Sequence, residues 1–272
     1  MMPDASSKYL GHYKDLIGNQ TAQAERFKQI LQNETAFLHT CHLTRDQVYK
    51  YHITMFSKKI TYPMSTTFFS KKYLRKLQRP YHRALLQCLG YNKNTSTQVC
   101  YGSKTLMGIG VKCLYLEQGC KGIMAFMRHW RDRSIISTLL RITIGWVQHA
   151  TGTGISIFKD TRELPHLESK WINFIRQFLR HINATFELDK EFIPALQREH
   201  DSYIMDHILD SKRFSNAEIK RLNYCRQWLQ VQTISDITQA SGTRLHLDFY
   251  WKTHLEDTRD NKSKNLARKT KR

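Results

Sequence analysis

Cations, rather than carboxylates, carry the chemical potential of this sequence. Between Asp46 and Glu117 no Asp or Glu occurs, and twelve Lys and Arg fill the interval: Lys50, Lys58, Lys59, Lys71, Lys72, Arg75, Lys76, Arg79, Arg83, Lys93, Lys104 and Lys112. Solvated surfaces ordinarily intersperse both signs, so about seventy residues of one sign build a field directed at an anionic partner. The density peaks in SKKYLRKLQRPYHRALLQCLG, residues 70–90. At the 100° per residue of an α-helix, Leu74, Leu77, Tyr81, Leu85 and Cys88 fall on one side. Lys71, Lys72, Arg75, Lys76, Arg79 and Arg83 fall on roughly the opposite side. One face suits a core and the other suits phosphates. A solvated basic face is the ordinary reading of a single helix of this kind. The acid-free surroundings, with Lys58 and Lys59 upstream, favour a phosphate-binding surface.

Other chemistries lack their residues. Two-metal phosphoryl transfer needs clustered carboxylates, and the sequence holds no Asp-Asp pair. It has no G-x-x-x-x-G-K-[ST] loop and no G-x-S-x-G elbow. Gly108-Ile109-Gly110 is not a dinucleotide fingerprint, because Cys113 stands where the third glycine belongs; its glycines fit a turn or a close backbone approach. Glu199-His200-Asp201 reads as a polar helix start, and Asp236 as a cap or turn former. His39, Cys41 and His42 have no second ligand pair at zinc spacing. The sequence therefore predicts no enzyme activity, no metal site and no cofactor.

The elements that must position the cations follow from length and periodicity. The chain has 272 residues, a formal charge of +20 and 40% apolar residues including five Trp, enough for a real core. Its longest apolar run, Ile135 to Val147, is broken by Arg141, and no stretch reaches the ~20 residues of a membrane span. MMPDASSKYL has no apolar signal region, and six scattered cysteines form no C-x-x-C pair. A cytoplasmic or nuclear protein with reduced thiols, not a secreted one, is expected. Helices are predicted over about 21–39 (Phe27, Ile30, Leu31, Phe37, Leu38) and 45–60 (Val48, Tyr51, Met55, Phe56, Ile60), capped by Thr44 and ended by Tyr62-Pro63. Ser70 caps the basic helix, Pro80 interrupts its hydrogen bonding and predicts a kink or two helices meeting there, and Gly90 stands at its C-terminus. Further helices are predicted from Leu114 to about 130, through Ile135, Leu139, Ile142 and Trp146, after Pro165, after Pro194, and from Ile219 to Leu229 behind a Ser215–Glu218 capping box. Short strands are expected near Val99 and Tyr101, over Ile155 to Phe158 and over Thr185 to Leu188, and a turn at Ser241-Gly242-Thr243. Residues 258–272 read as a disordered basic tail.

Several stretches in this order resemble the C-terminal part of reverse transcriptases of non-LTR (LINE-like) retrotransposons, as found in retroelement-derived frames of algae and other protists. KYLGHYKDLIGN at 8–19 resembles the primer-grip hairpin that follows the catalytic palm, with Tyr9, Leu10 and Gly11 at its centre. The helices over 21–60 with TYP at 61–63 resemble the thumb. KLQRPYHRALLQCLGYNKNTSTQVCYGSKTLMGIGVKCLYLEQG resembles a thumb-region pattern of the same family, although Ser103-Lys104-Thr105-Leu106 departs from its Pro- and Gly-containing form. QREHDSYIMD and LNYCRQWLQVQTISDIT resemble the segment after the thumb.

The resemblance implies a mainly α fold: a helical thumb-like bundle plus a second helical region with a few short strands. Its parts would be a palm-end hairpin (1–20), a basic thumb-like domain (21–131), a mostly helical post-thumb domain (132–257) and the tail. The polymerase aspartates of the family would lie upstream of Met1, which implies a non-catalytic fragment. Its expected partner is the backbone of RNA, DNA or an RNA–DNA hybrid, with no membrane involved, and its expected contacts are Lys58, Lys59, Lys71, Lys72, Arg75, Lys76, Arg79 and Arg83. The alternatives are a decayed retrotransposon frame without molecular function and a scaffold for protein partners.

Overall fold

The computed structural model of the chain describes residues 7–9, 12–14, 20–240, 242 and 244–246. The fold is mainly helical, as the sequence predicts. The chain divides into two compact units, Met1–Arg128 and His129–Arg272.

In the first unit, β1 (Ser7–Tyr9) and β2 (His12–Lys14) pair antiparallel, with Tyr9 opposite His12. Leu10, Gly11 and the Gly18-Asn19 turn expected from the sequence lie outside the described residues. Helix α1 (Thr21–Thr40) buries Phe27, Ile30, Leu31 and Leu38, at helical spacing. Phe37 is more exposed than expected and tilts against Tyr51, 4.9 Å away between centroids.

The helix expected over 45–60 is not a uniform one. α2 (Arg45–Tyr51) starts at a Thr44–Gln47 capping box, passes into a π-helical segment, His52–Phe56, and resumes as α3 (Ser57–Thr61). Its buried residues, Val48, His52, Phe56 and Ile60, recur every four positions. A regular helix would rotate such a series by about 40° per step and carry it off the core. The wider turn, in which Ser57 N–H donates to His52 O, absorbs the drift. Met55, a core residue in a uniform helix, is turned out to solvent.

A 3₁₀ turn, Tyr62–Thr66, contains Pro63 and leads to α4 (Lys71–Cys88). Ser70 Oγ accepts from Tyr73 N–H at the start of α4. The helix runs through Pro80 as one element. It ends in a Schellman motif: Tyr91 N donates to Leu86 O (2.8 Å) and Gly90 N to Gln87 O (3.0 Å). Gly90 has φ +80°, the left-handed conformation that favours glycine, while the Arg45 guanidinium beside it is the end of a flexible side chain.

The strand expected near Val99 and Tyr101 is instead a short helix, α5 (Thr97–Tyr101), capped by Ser96. Its last residues expose carbonyls to the following loop. Ile109 N donates to Val99 O, Gly110 N to Gly102 O and Val111 N to Cys100 O, each at 2.9 Å. The loop folds back so closely that a Cβ on Gly108 would lie 2.2 Å from Gly102 C. The close approach expected of these glycines is the one seen. Helix α6 (Leu114–Arg131) follows and contains the division between the units. Leu114, Tyr115 and Phe126 are buried, whereas Leu116 and Met124 are exposed.

In the second unit, α7 (Ile135–Thr151) is capped by Ser134. Its buried face carries Ser137, Ile144, Gln148 and Thr151. The apolar residues that mark it in the sequence point outward: Ile135 is 76% and Trp146 71% exposed, and Leu139 and Ile142 are exposed with them. Arg226, buried, closes the end of α7 by donating Nη2 to Ala150 O (2.6 Å) and His149 O (3.2 Å). Residues 155–158 are turns rather than a strand, because Gln148 supplies their backbone partners. Gln148 Nε2 donates to Thr153 O (2.7 Å) and Ile155 O (3.1 Å), and its Oε1 accepts from Ile157 N (3.0 Å).

Helix α8 (Lys170–His181) buries Ile172, Phe174, Ile175, Phe178 and Leu179. Ile182, just past the end of α8, is exposed. Residues 185–188 form no strand among the described residues. The expected helix start at Glu199–Asp201 is a turn with His200 at φ +62°, and α9 (Ile204–Ser211) begins later. Asp201 instead accepts from Ser235 N (3.0 Å). α10 (Asn216–Leu229) carries the expected Ser215–Glu218 capping box. α11 (Ile234–Ile237) is capped by Thr233 and Asp236, the role foreseen for Asp236. Gly242 lies in the expected turn, while Ser241, Thr243 and the basic tail lie outside the described residues.

Substituting Ala at Gly108 and at Gly145 should have opposite effects in denaturant unfolding. Gly108→Ala forces a Cβ into the Gly102 backbone and should cost about 1–3 kcal/mol, as overpacking does. At Gly145, inside α7, the nearest atom a Cβ would meet is the Phe192 Cβ at 3.4 Å, and Gly145→Ala should gain about 0.5–1 kcal/mol of helix stability.

Candidate nucleic-acid interface

The two faces of α4 separate broadly as the sequence predicts, although Leu77 and Cys88, expected on the apolar side, are only half-buried. Leu74, Gln78, Tyr81, Ala84, Leu85 and Leu86 are buried. Lys71, Lys72, Arg75, Lys76, Arg79 and Arg83 are all exposed. At 100° per residue the six cations occupy an arc of about 140°. Among the described residues, Lys72, Arg75, Lys76, Arg79 and Arg83 form no ion pair. Lys71 lies 6.0 Å from the Tyr115 ring.

Two kinds of contact hold this helix in place. On one flank α1 packs against it, and Cys88 Sγ donates to Leu38 O (3.2 Å). On another, buried Gln78 clamps the start of α6. Its Nε2 donates to Lys112 O (2.7 Å) and its Oε1 accepts from Leu114 N (3.1 Å). Gln78 Nε2 also reaches His82 Nε2 at 2.5 Å, and His82 Nδ1 lies 3.1 Å from Tyr101 Oη. With Gln78 as donor, neutral His82 carries its proton on Nδ1, facing the tyrosine. Burial lowers the His82 pKa, so the ring stays neutral beneath a positively charged face. Lys104 Nζ, 3.5 Å from the Tyr49 ring centroid, pins the glycine loop to α2.

Beneath the helix, Tyr81 is fully buried and stacked at 3.9 Å on Phe56. His52 Nδ1 lies 2.9 Å from Tyr81 Oη, and the other ring nitrogen, Nε2, is buried without a hydrogen-bond partner. Burial, with a smaller contribution from Lys112, pushes the His52 pKa down to about 4. A protonated ring has no acceptor for its second proton in this site.

Lys58 and Lys59 do not belong to α4. They stand on α3 and face α1 across a cleft of about 390 Å³ lined by Gln23, Arg26, Ile30, Lys58, Lys59, Tyr62 and Pro63. Lys59 Nζ pairs with the buried Glu34 carboxylate at 2.8 Å, and Tyr51 Oη donates to the same carboxylate at 2.5 Å. The structure therefore gathers six of the eight expected cations on one helix face and sets the other two beside Arg26. Tyr9 lies in β1, opposite His12; its side chain, Leu10 and Gly11 are outside the description. Gln78, His82 and Tyr101 escaped sequence reasoning because their contacts join segments up to 36 residues apart. Arg26 and Tyr62 escaped it because neither breaks a local pattern.

The chain matches no protein-family model, no curated protein and no solved structure.

The unfolded chain protonates His52 near the ordinary value of 6.5, the folded one only near about 4. Between those values the unfolded state binds the extra proton, so stability is full above pH 6.5 and falls as pH drops toward 4. His52 should contribute a slope of about 1.4 kcal/mol per pH unit in that window. Urea titrations at several pH values should show this slope, and His52→Gln should reduce it.

Proposed function

We propose that this chain binds the sugar–phosphate backbone of RNA, DNA or an RNA–DNA hybrid, without sequence preference, through the exposed face of α4. One observation carries the reading: six cations share one arc of a rigid helix, and five of them form no ion pair among the described residues. Cations that are spent on internal carboxylates, as Lys59 is on Glu34, have little left for a ligand. Lys72, Arg75, Lys76, Arg79 and Arg83 on α4 retain theirs.

Rigidity supports the reading too. The opposite face of α4 is fixed by Leu74, Tyr81 and Leu85 in the core and by Gln78 at α6. Phosphate contacts of this kind set position and leave base identity unread. The likeness of residues 8–250 to the primer-grip, thumb and post-thumb segment of non-LTR reverse transcriptases agrees with a face turned to a template–primer backbone. Such a chain works without catalytic carboxylates of its own.

Six phosphate contacts imply a loss of about 10³-fold in affinity between 50 and 200 mM salt. Fluorescence anisotropy with a labelled RNA–DNA hybrid measures that slope. Arg75→Glu, Arg79→Glu and Arg83→Glu together should flatten it and weaken binding by more than about tenfold. These side chains are exposed, so circular dichroism should be unchanged. An affinity that ignores salt, or survives the triple reversal, defeats the proposal.

A further inference from the structure

We infer that the cleft between α1 and α3 is a site for a single nucleoside phosphate. The inference rests on the nucleic-acid reading of α4 and adds a second, chemically different contact to it. The exposed side chains of the α4 face are cations on the outside of a helix. The cleft is concave and combines cations with an aromatic ring and an apolar floor.

Arg26 reaches the cleft from α1, and Lys58 from α3. Neither forms an ion pair among the described residues. Lys59 is tied to Glu34 and supplies a fixed, half-neutralised wall. Two unpaired cations on opposite walls suit one phosphate group. Tyr62, at the same cleft, is 61% exposed, although Pro63 beside it is buried and the 3₁₀ turn holds both. A large aromatic side chain carried on a backbone held in that way, at the rim of a basic cleft, offers a stacking platform. Base–aromatic stacking tolerates any base. Ile30 and Pro63 give the apolar floor, and the buried Gln23 carboxamide lines it. At about 390 Å³ the cleft lies at the small end of ligand-pocket sizes, about 300–1,000 Å³. That admits one nucleotide unit and excludes a duplex. The nucleotide can be free or part of a single strand. In either case the base lies on Tyr62 and the phosphate between Arg26 and Lys58.

The full chain should be titrated with a labelled single-stranded oligo(rA) and with a labelled blunt duplex. Tyr62→Ala and Lys58→Ala should each weaken single-strand binding about tenfold and leave duplex binding nearly unchanged. The Arg75→Glu/Arg79→Glu variant should weaken both. If Tyr62→Ala and Lys58→Ala leave single-strand affinity intact while the α4 variant lowers it, the cleft proposal falls and the backbone reading stands. If the α4 variant changes nothing while Tyr62→Ala still acts, the backbone reading falls alone. Competition by AMP, with adenosine and inorganic phosphate as controls, separates the two sources. AMP displacing the strand from the native chain but not from the Tyr62→Ala chain marks a site open to free nucleotide; displacement only by oligomers marks a strand subsite. Equal displacement by inorganic phosphate alone would overturn the role of the ring. The two substituted side chains are exposed, and unchanged unfolding curves exclude a folding defect.

Discussion

Buried glutamines hold the irregular parts of this fold to its helices. A mainly helical framework satisfies its own backbone within each helix, but the connections between helices have no ladder to join. Inside a core, an unpaired N–H or C=O costs about 1–3 kcal/mol. Gln118, fully buried on α6, accepts from Phe69 N (3.2 Å) and donates to Phe69 O (3.0 Å), pairing with that residue as a strand neighbour would. Gln78 does the same for Lys112 and Leu114, and Gln148 for residues 153–157. A carboxamide has one donor group and one acceptor, like a peptide unit, so one side chain replaces a missing β partner. Arg226 and Arg176 extend the device with charged donors: Arg176 gives its guanidinium to the carbonyls of Ile157 and Arg162.

The basic face depends on these clamps. Six like charges on one helix repel one another, and the repulsion has to be offset from the other side of the helix. Tyr81, stacked on Phe56 and bonded to His52, and Gln78, bonded to the start of α6, anchor that side. The same burial keeps His52 and His82 neutral, so no further positive charge forms under the cationic surface at neutral pH. The π-helical segment belongs to the same arrangement, because it lets His52 and Phe56 both reach Tyr81. A basic face, a buried aromatic stack and a local helix irregularity are thus consequences of one packing requirement.

Most helices were legible because their causes are local. Ser70, Thr44 and Ser215 cap the helices that they precede in the sequence, and on α4 the cations are exposed while Leu74, Tyr81 and Leu85 are buried, as expected. The misread elements had non-local causes. Ile155 to Phe158 looks like a strand and is folded as turns, since its partner is Gln148 rather than another strand. Val99 and Tyr101 alternate like strand residues, yet Ser96 and the returning glycine loop make that segment helical. In α7 the conspicuous apolar residues are exposed, while Ser137 and Gln148 face inward because backbone groups there need partners.

The sequence by itself determined the cations, their shared helix face and the absence of carboxylates among them. Those properties depend on residue type and a 3.6-residue period, which any helical form of residues 70–90 would express. Only the tertiary structure decided which cations are spent and which are free to act. Glu34 lies 25 residues from Lys59 and captures it, whereas no described carboxylate reaches Arg75 or Arg79. It also decided that Arg26, Lys58 and Tyr62 enclose one cleft. Such assignments depend on the packing of α1 against its neighbours, and distances across a core are not written in local spacing.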